Sequence, residues 1–316
     1  MRFGEGDNTY NWIENWAKIP LRGRRPNSES GKSNGRTHGV VVTEAGNIIV
    51  FHQANPAVLV FDNNANLLEA WGDRFAGAHG LTLVQENGTE YLWLTDQYSG
   101  EVVKTTLDGK TILNIERASH PTYSKSKYAP TWITVHEERF GGNGDVWVTD
   151  GYGSHYIHRY DRTGKYLGSI NGSEGEAGTF ECPHGIWIDY RKSEPELYIA
   201  DRGNRRFQVY DLQGRFKRVF GADFLTSPCG CVTHEGQLLV PELNARLAVL
   251  DEDDRLICYI GENEAVCSHP EWPNVPANLI TAGKFNSPHG MAADKQGNLY
   301  VVEWIIGGRI TKLARC

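Results

Sequence analysis

No stretch of roughly 18 consecutive apolar residues occurs in the chain, which excludes a conventional membrane-spanning helix. The opening residues, MRFGEGDNTYNW, lack the apolar core of a secretory signal, so the expected location is the cytoplasm and no membrane partner is expected. Cysteine is sparse. Six cysteines in 316 residues, at 182, 229, 231, 258, 267 and 316, cannot form a dense disulfide framework, and reduced thiols are expected. A basic stripe is also missing: 32 Lys and Arg stand against 39 Asp and Glu, a net charge of −7, so no nucleic-acid partner is expected. The one local exception, Arg22, Arg24 and Arg25 with Lys32 and Arg36, reads as a solvated N-terminal loop.

What the chain does contain is glycine, 35 residues, and proline, 13, spread along its length, with nine Trp, fourteen Tyr and eleven Phe to build a core. Scattered turn formers between apolar runs point to many short strands. One unit recurs six times: a His-Gly or similar start, an apolar strand, a Gly-Asn or Asp turn, and a second strand ending in an acid. It reads THGVVVTEAGNIIVFH from Thr37, AHGLTLVQENGTEYLWLTD from Ala78 and PTWITVHEERFGGNGDVWVTD from Pro130. It returns as PHGIWIDYRKSEPELYIAD from Pro183, PCGCVTHEGQLLVPE from Pro228 and PHGMAADKQGNLYVVE from Pro288. Segments such as HRYDRTGKYLGSI and FQVYDLQGRFKRVFG add strands joined at Asp-x-x-Gly turns. Units of this length with three or four strands are propeller blades; solenoid repeats are shorter, and paired sandwiches do not repeat a His-Gly start. The expected fold is therefore all-β, a six-bladed β-propeller forming one domain over 1–316, with a segment 1–36 and six blades over 37–316. The last unit stops soon after RITKLAR, so a strand within Tyr10 to Ile19 is expected to complete its sheet and close the ring. The Pro- and Asn-rich stretch from Gly261 to Phe285 is expected to be a loop over one face.

First strands of propeller blades line the central channel. The six positions equivalent to the His of His-Gly are His38, His79, Thr131 or Trp132, His184, Cys229 and His289. His79, His184 and His289 follow one another at intervals of 105 residues and belong to alternate blades. Three imidazoles spaced about 120° around an axis form a three-ligand metal site with a position left for water or substrate. Zinc suits imidazole, and iron, manganese or cobalt fit the same ligands. The competing reading is that each His caps a neighbouring blade. His38 is a fourth member, open to being a partner of the ligands, a substrate contact or a structural residue.

The His-Gly units and the strand ADRGNRRFQVYD from Ala200 resemble NHL-repeat propellers. More closely, from about Thr37 onward the chain resembles the lyase domain of the peptidylglycine α-amidating family, whose zinc-bearing six-bladed propeller cleaves peptidyl-α-hydroxyglycine to an amide and glyoxylate. AHGL, PHGI and PHGM fall where that family has its zinc ligands, which implies His79, His184 and His289 as the metal set. VTDGYGSHYI implies Tyr152 as the catalytic tyrosine, and ADRGNRR implies Arg202 as the active-site arginine. His38, His52, Gln53 and Tyr98 are the expected substrate contacts, with packing between blades as the other reading of Tyr98. Departures are local: Gln53 follows His52 where the family has Arg, Gly290 replaces an acidic calcium ligand, and the family's disulfide cysteines have no counterparts in DGYGSHYI or DRGNRRF. A structural calcium is therefore not expected.

The resulting expectation is a monomeric, zinc-dependent lyase acting on a hydroxylated, carboxylate-bearing small molecule. A nearby dication and Arg202 would hold the Tyr152 phenol below its ordinary value of about 10 and make it a general base. Arg202 would pair with a carboxylate or oxyanion, or else with an Asp such as Asp150. Asp96, Asp150, Asp201, Glu242 and Glu303 recur at second-strand ends and read as turn caps, and Arg206 and Arg246 read as structural. A zinc hydrolase or isomerase on the same site and a non-catalytic NHL-type scaffold are the rival readings.

Overall fold

The computed structural model describes residues 2–6, 8–20 and 35–316. Arg22, Arg24, Arg25 and Lys32 lie outside the described residues. Arg36 lies within them and is not part of a solvated loop: it is buried, its guanidinium donates to the Trp304 carbonyl at 2.8 Å and stacks 4.0 Å from the Trp304 ring. The described residues form six antiparallel sheets, the all-β, six-bladed propeller expected from the repeat. No described helix is long and apolar enough to cross a membrane.

Backbone contacts divide the chain into two compact units, 1–76 with 231–316, and 77–230. The second unit holds three four-stranded sheets in simple sequential order. They comprise Ala78–Glu86, Thr89–Asp96, Val102–Thr105 and Thr111–Ile115; Trp132–Val135, Val146–Thr149, Ile157–Tyr160 and Tyr166–Ile170; and Pro183–Asp189, Glu196–Asp201, Arg206–Tyr210 and Phe216–Phe220. Apolar faces of neighbouring sheets form its core, with Trp93, Ile133 and Val148 in one cluster and Trp147, Ile188 and Ile199 in the next.

The first unit contains sheets over Thr37–Trp71 and Val232–Ile260, and a five-stranded sheet ordered Arg2–Glu5, Asn8–Ile13, Arg309–Arg315, Leu299–Glu303, Pro288–Ala293. The expected N-terminal strand is present but lies at Asn8–Ile13, pairing Tyr10 with Arg315 and Ile13 with Lys312, and an unforeseen strand is added outside it. Tyr10 and Trp12 are buried with Phe285 and Leu313, which explains why this segment is held. The 261–285 stretch carries two short 3-10 turns and is tied down by Trp272 Nε1 on the Asn286 carbonyl at 2.9 Å.

Two local devices repeat. Between third and fourth strands an aspartate accepts backbone N–H bonds from residues two and four ahead, as Asp161 does from Thr163 and Lys165, and Gly164 takes the left-handed conformation that the turn needs. At the ends of second strands, buried acids brace the entry to the first strand: Asp96 accepts from Gly77 N, Asp150 from Ala129 N, Asp201 from Glu181 N, and Glu303 from Asn286 N and Ser287 N. Glu242 pairs with Arg246 at 2.7 Å and Asp201 with Arg206 at 2.9 Å, so these acids and arginines are structural, as their recurrence implies.

Candidate active site in the second unit

Each His-Gly start carries an interruption of strand register: between Ala78 and Leu81, Pro183 and Ile186, Pro288 and Gly290, and Thr37 and Gly39. The Trp132 and Val232 strands, which lack His-Gly, pair without a shift. A bulge re-aims one side chain, and here that side chain is the histidine. In the second unit His79 Nδ1 meets the Thr131 carbonyl at 2.6 Å and His184 Nδ1 meets the Cys229 carbonyl at 2.6 Å. A carbonyl only accepts, so Nδ1 carries the hydrogen and Nε2 carries the ring's lone pair.

Both lone pairs converge on one phenol. Tyr152 Oη lies 3.3 Å from His79 Nε2 and 3.1 Å from His184 Nε2, and Arg202 Nη2 donates to the same oxygen at 3.1 Å. The ring of Trp132 stands 6.3 Å from His79 and 6.4 Å from His184. Tyr152 reaches this point because the Thr149 strand ends in the Asp150 turn. Asp150 accepts from Ser154 N at 2.7 Å, Ser154 Oγ at 2.6 Å and the Tyr123 hydroxyl at 2.8 Å. Tyr123 also bonds His158 Nε2 at 2.5 Å, while His158 Nδ1 meets Ser169 Oγ at 2.7 Å.

Burial pushes the Tyr152 phenol above its ordinary value and the Arg202 cation opposes this, so the expected lowering needs the dication as well. Arg202 does not take the alternative of pairing with Asp150, whose carboxylate serves the turn: its Nη2 is shared between Tyr152 and Cys182 Sγ, the latter at 3.2 Å. Burial works against the Arg202 charge, yet its neighbours Tyr152, Cys182 and Cys229 raise its pKa, so it stays a cation. Burial likewise raises the Cys182 thiol against the pull of Arg202.

The first unit repeats the imidazole geometry at His289, whose Nδ1 meets the His38 carbonyl at 2.9 Å. His38 differs: its Nδ1 faces the carbonyl of Arg36, just before its own strand, at 3.2 Å, and its ring lies 4.6 Å from that of His289. His52 is buried with Nε2 2.8 Å from the Pro56 carbonyl, and burial lowers its pKa to about 4, so it is neutral. Gln53 is buried beside it. Tyr98 is 53% exposed on the Asp96 turn, its ring over Gly77. Cys182, the Tyr123–His158 pair and the receiving carbonyls were not foreseen. Only the contact of Cys182 with the Pro183-His184 motif in sequence could have drawn notice.

The donor set fits a metal. His79 and His184 both turn Nε2 to one point, and both Nδ1 atoms are fixed by carbonyls in the manner of metal-bound histidines.

These features define a six-bladed, all-β propeller. No protein-family model matches the chain. It is 25% identical over 320 residues to peptidyl-alpha-hydroxyglycine alpha-amidating lyase 1 of Drosophila melanogaster, covering 85% of this chain and 55% of that protein, so it spans about half the relative's length. It is 25% identical over 237 residues to NHL repeat-containing protein 3 of Homo sapiens, covering 68% of this chain and 65% of that protein. A solved streptogramin B lyase superposes with a TM-score of 0.63 at 15% identity, over 98% of this chain and 99% of that one, and shows the shared fold. The chain is thus a distant homologue of amidating lyases and NHL-repeat proteins.

Proposed function

We propose that the protein is a metal-dependent lyase that breaks the C–N bond of a hydroxylated, carboxylate-bearing small molecule of the α-hydroxyglycine type. The observation that carries this reading is the convergence of two histidine Nε2 atoms and the Arg202 guanidinium on the Tyr152 hydroxyl. His79 and His184 would hold the metal. When bound, zinc would supply Lewis acidity toward a substrate oxygen. Arg202 offers a fixed cation to the substrate carboxylate. Tyr152 moves the proton: it takes hydrogen from the substrate hydroxyl and delivers it to the departing nitrogen. The O–H and C–N bonds break, the C–N electron pair leaves with nitrogen, and the hydroxyl-bearing carbon becomes the carbonyl of a glyoxylate-type product. Half-buried Trp132 beside the two imidazoles helps keep bulk water from this step.

The test is turnover of an α-hydroxyglycine-terminated peptide, following amide and glyoxylate together. Tyr152→Phe is expected to lower kcat by about 10²–10⁴-fold while zinc content stays unchanged. Formation of product by Tyr152→Phe at the wild-type rate would remove the tyrosine from the chemistry. A labelled carboxylate formed in labelled water in place of the amide would point instead to a hydrolase.

A further inference from the structure

Arg202 and Tyr152 meet through a hydrogen bond of 3.1 Å and a guanidinium–ring contact of 5.4 Å, and a third group adjoins them. Arg202 projects from the short turn Arg202–Asn204, Tyr152 from the Asp150 turn, and a long guanidinium side chain on such a turn has many rotamers to lose. Its Nη2 meets two acceptors at nearly equal range, Tyr152 Oη at 3.1 Å and Cys182 Sγ at 3.2 Å. Cys182 directly precedes Pro183 and His184, and its backbone has φ of 52°, in the left-handed region where glycine is the natural occupant. A cysteine there keeps the backbone strained and presents a side chain to Arg202. Such strain at a place where three candidate site residues meet points to a role for the side chain. The thiol forms no disulfide.

We propose that Cys182 is a positioning residue whose sulfur holds Arg202 Nη2 on the Tyr152 hydroxyl. Its kinetic consequence rests on the lyase reading; its structural consequence does not. Cys182→Ala keeps a Cβ on the same left-handed backbone and removes the acceptor, whereas Cys182→Ser keeps an acceptor there. Crystal structures and kinetics of the wild type and both variants test the idea. In Cys182→Ala, Arg202 Nη2 is expected beyond about 3.5 Å from Tyr152 Oη. With an α-hydroxyglycine peptide, kcat is expected to fall about tenfold and KM to change by less than about twofold, at unchanged zinc content and melting temperature. Cys182→Ser is expected to restore the Arg202–Tyr152 contact and most of kcat. Arg202 still seated on Tyr152 in Cys182→Ala overturns the proposal, as does a serine variant as defective as the alanine one. If wild-type protein turns over no α-hydroxyglycine peptide, the lyase reading fails, and the position of Arg202 in the variant structures still decides the role of Cys182.

Discussion

The Thr131 carbonyl oxygen lies 2.6 Å from His79 Nδ1 and would lie 2.7 Å from a Cβ placed on Gly80. Cys229 O stands to His184 and Gly185 as Thr131 O stands to His79 and Gly80, and within the first unit His38 O does the same for His289 and Gly290. The His-Gly pair is therefore one device: glycine lets a carbonyl approach, and that carbonyl fixes the imidazole with Nε2 forward. Capping and metal binding, rivals when the sequence is read alone, use opposite nitrogens of the same ring. Gly80→Ala places a methyl against the Thr131 carbonyl, Thr95 Oγ1 and the Trp132 backbone, so we expect a stability loss of about 1–3 kcal/mol in urea unfolding, together with weaker zinc retention. An alanine variant with unchanged stability and zinc would contradict this account. The histidines were legible because His-Gly recurs at fixed spacing. The carbonyls were not, since every residue has one, and the burial that raises Tyr152 cannot be seen in a string of letters.

At the scale of elements, the Tyr152 turn rests on a network drawn from four places in the chain: Tyr123, Asp150 with Ser154, His158 and Ser169. No spacing rule joins them, so the network was invisible in sequence, whereas the Asp-x-x-Gly turns were readable from three or four consecutive residues. Burial lowers the pKa of His158 to about 3, and His52 in the first unit is lowered to about 4. An unfolded chain binds these protons near pH 6.5, where the folded protein does not. Between pH 6.5 and the folded values the unfolded state therefore binds more protons, and stability falls as pH falls. Each histidine steepens the slope by up to about 1.4 kcal/mol per pH unit. Unfolding midpoints in urea should drop steadily from pH 7 to pH 4.5, and His158→Gln should flatten part of that slope. A stability flat or rising toward acid would show that these rings are not buried neutral.

For the whole molecule, the architecture was readable because a propeller writes its fold as a repeat, six starts and five acidic strand ends. The strand that links the two ends of the chain was anticipated within Tyr10 to Ile19, and it pairs through Tyr10–Ile13, where Tyr10 and Trp12 bury. Deleting residues 1–13 exposes the Arg309–Arg315 edge and removes Tyr10 and Trp12 from the core, so the truncated protein should lose cooperative unfolding and associate through that edge. Monomeric truncated protein with wild-type melting would refute this role. The central claim is that the histidines turned by the His-Gly bulges hold a metal for chemistry at Tyr152. Metal analysis of the purified protein beside a His79→Ala/His184→Ala variant tests it most directly: about one zinc per chain, lost in a variant that keeps its circular dichroism spectrum, is the expected result, and no metal in the wild type even after reconstitution with zinc would contradict it.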